Sequence, residues 1–128
     1  LVLGPVGTET LPSALGAKIL GDDAYAFAGS SLEISDLDGD GQADISIGAI
    51  GAGPSGAVFV YLDTPSGTQN LSSADVLLNG EGGLTGSSLS TADSNGDGRS
   101  DLAIGNPGSD FAGGNSGVAY LVLGGPLW

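Results

Sequence analysis

No cysteine and no histidine occur among the 128 residues, and the cations number two, Lys18 and Arg99, against 15 Asp and Glu. Without cysteine there is no disulfide framework and no thiolate chemistry. Without histidine the commonest general base, the Ser-His triads and the usual zinc and copper ligands are missing. The formal net charge of −13 argues against nucleic acid or an anionic membrane surface as partner, because both select clustered Lys and Arg. No apolar run approaches the roughly 18–20 residues that span a bilayer, so membrane insertion is not expected. No long stretch places apolar residues at helical spacing between proper caps, which argues against a mostly helical fold. The opening "LVLG" is too short for a signal-peptide core and has no basic residue before it. The first residue is Leu, not Met, as expected of a processed or excised segment.

What is present is glycine and short aliphatic runs. There are 25 glycines and 6 prolines, and 40% of residues are hydrophobic, enough for a packed core and unlike a disordered acidic tail. Short Val, Ile, Leu and Ala segments between glycine-rich turns predict an all-β fold, in one small domain or a piece of a larger one.

The chain also repeats itself. "FAGSSLEISDLDGDGQADISIGA" (Phe27 to Ala49) aligns without gaps on "LTGSSLSTADSNGDGRSDLAIGN" (Leu84 to Asn106) at an offset of 57. "GAVFVYL" (Gly56 to Leu62) matches "GVAYLVL" (Gly117 to Leu123) at an offset of 61, so the second copy carries four extra residues, in "SDFAGGNS" (Ser109 to Ser116). "LVLGP" (Leu1 to Pro5) recurs near the C-terminus, and "AKILGDD" (Ala17 to Asp23) resembles "ADVLLNG" (Ala74 to Gly80). Each repeat predicts four strands. In the first these are Gly29 to Ile34, Ile45 to Ala49, Ala57 to Leu62 and Val76 to Leu78. In the second they are Gly86 to Ser90, Leu102 to Ile104 and Val118 to Leu123, with the last strand lacking.

Four-stranded antiparallel sheets repeated along a chain predict β-propeller blades, about two here. Residues 1–26 would hold end strands of a preceding blade (Leu1 to Leu3, Ala17 to Leu20), 27–80 the first repeat and 81–128 the second. The strand at Ala17 to Leu20 is expected to pair with the C-terminal strand three, within one chain or between chains. Self-association to close a propeller ring follows as an expectation.

The specific chemistry lies in two loops. "DLDGDGQAD" (Asp36 to Asp44) sets four carboxylates in nine residues, and "DSNGDGRSD" (Asp93 to Asp101) nearly repeats it. Calcium takes six to eight oxygens and is wrapped by a loop that offers one from alternate residues. The donors would be Asp36, Asp38, Asp40, the Gln42 carbonyl and Asp44, then Asp93, Asn95, Asp97, the Arg99 carbonyl and Asp101. Gly41 and Gly98 follow the third acid, where the chain turns sharply. An EF-hand would need Glu at position twelve and flanking helices, yet that position is Ile47 or Ile104 inside an apolar strand. Magnesium prefers fewer protein ligands. Plain Asp-Gly hairpin turns would explain one such loop, but not two in register. A catalytic carboxylate pair is disfavoured, since acids this close in sequence cannot flank a substrate. The first loop should bind more tightly, with four carboxylates against three plus an amide and Arg99 beside the second.

These residues resemble the FG-GAP repeat, the blade unit of integrin α-subunit propellers and of many bacterial extracellular proteins. The Asp-x-Asp-x-Asp-Gly-x-x-Asp element is complete at Asp36 to Asp44 and has Asn95 for its second Asp in the other copy. The Gly-Ala-Pro element appears as Gly48-Ala49-Ile50 and Gly105-Asn106-Pro107, and the Phe-Gly element as Phe27-Ala28-Gly29 and Leu84-Thr85-Gly86. The resemblance implies a seven-bladed propeller with calcium on one face and an extracellular setting. Seven blades would need roughly 420 residues, so two-blade chains closing a ring would give six or eight blades instead.

The resulting expectation is a non-catalytic, calcium-binding module, not an enzyme, for extracellular protein interaction or adhesion. A carbohydrate-binding propeller and the propeller part of a larger hydrolase are the alternatives. Tyr25, Phe111 and Trp128 are expected to pack rather than face a ligand, Asp22 and Asp23 to form a solvated turn, and Lys18 to neutralise nearby acid.

Overall fold

In a computed structural model of the chain, residues 16–126 are described. The expected strand at Leu1 to Leu3 and Trp128 lie outside them. Nine strands run β1 (Ala17–Leu20), β2 (Ala28–Ser35), β3 (Asp44–Ala49), β4 (Ala57–Tyr61), β5 (Gly67–Asn70), β6 (Val76–Asn79), β7 (Ser88–Ala92), β8 (Asp101–Asn106) and β9 (Val118–Val122). No α-helix occurs among the described residues. The strands expected within the described residues all appear, with ends that differ by at most two residues.

The first repeat folds as an antiparallel sheet of order β2-β3-β4-β6, the second as a three-stranded antiparallel sheet of order β7-β8-β9. Both are blade-like sheets. Their registers are equivalent: Leu32 lies opposite Ile47 and Ile47 opposite Phe59 in the first, as Leu89 lies opposite Ile104 and Ile104 opposite Tyr120 in the second.

Alternation along each strand sends successive side chains to opposite faces, and both faces of the first blade are used. One presents Val58, Val60, Val76 and Leu78 to the second blade, where Leu102, Ile104, Leu89, Tyr120 and Val122 meet them. Val58, Val60 and Leu102 are fully buried, and burying each such side chain stabilises the fold by about 1.5–3 kcal/mol. The blades approach closely where Gly48 faces the carbonyl of Gly86. A Cβ at Gly48 would stand 2.1 Å from that oxygen, and the Ser31 hydroxyl donates to the same oxygen at 2.6 Å.

The other face of the first blade carries Ile47, Ala49, Tyr61 and Leu71, with Ile19 packed against them. Here one expectation is corrected. Within the chain β1 does not pair with β9, the C-terminal strand three, but runs parallel to β5, Ala17 opposite Gly67 and Leu20 opposite Asn70. The cause lies in the β5 to β6 link. Tyr61 donates its hydroxyl to the Asn70 carbonyl at 2.6 Å, and Leu71 is buried against the sheet. Ile19 docks on the same apolar patch, so β1 and β5 meet edge to edge. Asp22 then receives the Ser72 N–H and hydroxyl at 2.6 and 2.9 Å, which makes it a tie rather than only a solvated turn.

Two aromatics also depart from expectation. Tyr25 is 81% and Phe111 71% exposed. Tyr25 precedes β2 at a positive φ of 65°, and Phe111 lies in the segment that lengthens the second repeat. Neither sits on a sheet face that could cover it.

Candidate metal centre

Each acidic loop joins the first two strands of its blade, and in each the side chains of positions one, three and five turn inward onto backbone N–H groups. Asp36 accepts from Gly39 at 2.7 Å and Gly41 at 2.9 Å, Asp38 from Asp40 at 2.9 Å, and Asp40 from Gln42 at 2.7 Å. In the second loop Asp93 accepts from Gly96 at 2.7 Å and Gly98 at 2.9 Å, Asn95 from Asp97 at 2.9 Å, and Asp97 from Arg99 at 2.9 Å. Short Asp and Asn side chains make such turns with the backbone two residues on. The fifth-position Asp is followed in each loop by a glycine at a φ of 89° (Gly41, Gly98), which L side chains resist.

This ladder gathers oxygens. One carboxylate oxygen from each of Asp36, Asp38 and Asp40 lies within 4.8 Å of the others. Three carboxylates that close repel unless a cation offsets them, and hard oxygen donors suit calcium, so the residues present fit the ion. The second loop offers Asp93 and Asp97 with the Asn95 amide between them, its Nδ2 donating to Asp97 at 3.0 Å. Gln42 and Arg99 enter through backbone atoms, their N–H groups closing the ladder.

Position nine is different. Asp44 and Asp101 open strands β3 and β8 and are each 1% exposed. Asp44 accepts the Leu37 N–H at 2.7 Å and the Asp63 N–H at 3.1 Å. It stands outside the Asp36, Asp38 and Asp40 group. Asp101 accepts the Ser94 N–H at 2.9 Å, the Ser94 hydroxyl and the Gly124 N–H at 2.8 Å. The Ser94 hydroxyl, then the Gly124 N–H, hold the Asp101 carboxyl below the usual carboxylate range against the opposing effect of burial. Each of these acids therefore ties the loop's second residue to the segment leaving strand three.

The two loops also touch. Ser100 donates its N–H to the Asp36 carbonyl at 3.0 Å, and Gly125 to the Leu37 carbonyl at 2.9 Å. Leu37 is fully buried in the core between the blades. The Arg99 side chain crosses into the first loop: a Cβ on Gly39 would stand 2.8 Å from its Nε.

Sequence reasoning passed over Leu37, Ser94, Asp63 and Gly124 as parts of this region. An apolar Leu among four acids was the available signal for Leu37. Asn106, which in sequence is only the middle residue of the Gly-Ala-Pro element, is 1% exposed and organises the entry to the second blade. It accepts the Leu84 N–H at 2.7 Å and donates to the Gly82 carbonyl at 2.6 Å and the Thr85 hydroxyl at 2.8 Å.

Comparison with known proteins agrees with this geometry. The FG-GAP repeat matches at residues 28–61 and 85–122, more than half of the chain and one match in each blade. Human phosphatidylinositol-glycan-specific phospholipase D is 32% identical over 109 residues, an alignment that covers 77% of this chain. The chain spans 12% of that enzyme's length. Both acidic loops fall inside the family matches, and the chain belongs to the FG-GAP repeat family, as a β-propeller module of two blades.

Proposed function

We propose that the chain is a non-catalytic, calcium-stabilised propeller module serving extracellular protein interaction or adhesion. The observation that carries this reading is the repeated ladder, with the oxygens of Asp36, Asp38 and Asp40 gathered within 4.8 Å. The first ion would be held by Asp36, Asp38, Asp40, the Gln42 carbonyl and Asp44. The second would be held by Asp93, Asn95, Asp97, the Arg99 carbonyl and Asp101. Bound calcium supplies positive charge: two ions would change the formal net charge from −13 to −9. The residues themselves fix the loop, Asp44 and Asp101 by joining it to the sheet and Leu37 by rooting it in the core. Extracellular calcium is millimolar, sufficient for weak loops of this kind.

Titration calorimetry on chelator-treated protein tests this directly, with two calcium sites expected. A ligand that binds only the native state at about 100 times its Kd adds roughly 2.7 kcal/mol per site, so calcium should raise Tm and a chelator lower it. Absence of calcium heat and of any Tm change would sink the proposal.

A second reading is favoured by the likeness to a phospholipase D. The module would then be the propeller part of a larger hydrolase, with the chemistry elsewhere. A carbohydrate-binding role, for which a glycan array is the test, has the exposed Phe111 and Tyr25 as candidate contacts.

A further inference from the structure

The two acidic loops are joined by main-chain hydrogen bonds that begin and end on their own candidate ligands. The first link starts at the peptide unit between Arg99 and Ser100. Its carbonyl, that of Arg99, is one of the donors assigned above to the second ion. Its N–H, that of Ser100, donates to the Asp36 carbonyl in the first loop at 3.0 Å. In a trans peptide these two groups point in opposite directions, and no cis bond occurs among the described residues. One rigid plane therefore serves both loops.

The next peptide unit repeats the arrangement. The Asp36 carbonyl that accepts from Ser100 shares its plane with the Leu37 N–H, which donates to the Asp44 carboxylate at 2.7 Å. Two consecutive planes thus lead from a ligand of the second site to the carboxylate that closes the first. Another link runs back. Gly125 donates its N–H to the Leu37 carbonyl at 2.9 Å, and the neighbouring Gly124 N–H donates to Asp101 at 2.8 Å. Leu37, Asp44 and Asp101 are each no more than 1% exposed. Hydrogen bonds so shielded from water are electrostatically stronger than those at the surface.

We propose that the two calcium sites are positively coupled through this path, an ion in either loop raising the affinity of the other. The Ser100 and Leu37 amides are its positioning groups. The inference rests on the calcium reading above and deepens it. Two effects give the sign. A cation on the Arg99 carbonyl polarises that peptide and makes the Ser100 N–H a stronger donor, and chains of hydrogen bonds pass such polarisation on. An ion in one loop also immobilises a segment bonded to the other, so the next ion meets a loop already ordered. Repulsion between the ions opposes both, but about 0.15 M salt screens exposed charge beyond roughly 8 Å. Coupling of this sign fills the pair over a narrower range of calcium concentration than two independent loops would need.

Calorimetric titration of wild type and of two variants, each disabling one site, reads the coupling. Asp97→Ala removes a ligand of the second site and Asp40→Ala one of the first, both at exposed positions. First-site affinity in Asp97→Ala should fall about fivefold, the low end for coupled sites. Second-site affinity in Asp40→Ala should fall by the same factor, because coupling is reciprocal. Each variant also deletes an acidic charge, so the titrations are repeated at about 1 M salt, where charge is screened within roughly 3 Å. A fall that persists there supports the path, and one that vanishes is charge alone and overturns it. Unchanged or raised affinity at the remaining site overturns it as well. A purely structural role would leave one further signal still. In Asp40→Ala, calcium in the second loop should move the amide proton resonances of both Ser100 and Leu37, and a stationary Leu37 resonance counts against the proposal. Should either variant lose its strand signal by circular dichroism, Asp97→Asn or Asp40→Asn keeps the side-chain shape and replaces it. Two calcium sites that titrate independently overturn this inference alone, whereas absence of calcium heat removes the function proposed above together with it.

Discussion

The two acidic loops share one backbone path and differ in what holds them down. In both, residues one, three and five accept N–H groups from the following turn, at matching positions. That path is local, written by Asp, Asn and Gly. The second residue makes the difference. Leu37 is fully buried between the blades, whereas Ser94 is exposed and reaches Asp101 with its hydroxyl as well as its N–H. The first loop is rooted in the core and the second is tied by polar contacts at the surface. Equal ladders with unequal anchors should respond differently to the same substitution.

The largest contrast is expected at position nine. Asp44→Ala leaves the buried Leu37 N–H without an acceptor and also strips the Asp63 N–H. A buried orphaned donor costs about 1–3 kcal/mol, so the loss should reach about 2–4 kcal/mol in chemical denaturation. Asp101→Ala also orphans a buried donor, the Gly124 N–H, but should cost less, because exposed Ser94 can turn to water whereas Leu37 is held in the core. Equal losses, or a greater loss at Asp101, would break the distinction between rooted and tied loops.

Next comes the charge at position three. Asn95→Asp gives the second loop the acid that the first has at Asp38, and it removes the amide that now donates to Asp97 at 3.0 Å. Ligand charge count tunes calcium loops, so calcium affinity at this site should rise about tenfold while the calcium-free protein loses stability. Asp38→Asn should weaken the first site by a similar factor. Site-resolved titration of both variants shows whether the loops exchange rank.

Much of this was legible in the sequence because it is local. The repeat, the strands and the turn ladder follow from alternation and from residues a few positions apart. The parallel pairing of β1 with β5 was not, because it depends on Leu71 and Ile19 meeting on one apolar patch from positions about fifty residues apart. The anchoring of Asp44 and Asp101 also escaped, since their partners at Asp63 and Gly124 lie beyond the next strand. Charge reasoning placed Arg99 beside its own loop. Its side chain instead lies across Gly39 of the first, where only the packing of two blades could bring it.

That position makes Arg99→Ala a finer probe of how the loops are joined. An exposed charge pair is worth about 0.2–1 kcal/mol, so removing this cation should raise calcium affinity by a few-fold at most. The gain is expected in the first loop as well as the second. An effect confined to the second loop would return the charge to its home and leave the loops joined by backbone alone.

The smallest expected effect is on acid stability in chelator. The Ser94 hydroxyl is the main cause of the low Asp101 value. A carboxyl depressed on folding adds stability that is present above its unfolded value, about 3.9 for Asp, and lost as pH falls through its folded value. Ser94→Ala lets the folded value rise, so the stability goes at a higher pH and the acid-unfolding midpoint should move up slightly. Nothing equivalent exists at Leu37, which has no hydroxyl to lose. A midpoint that stays in place would mean that the Ser94 and Gly124 N–H groups suffice, and that the second loop is held as the first one is, by its backbone.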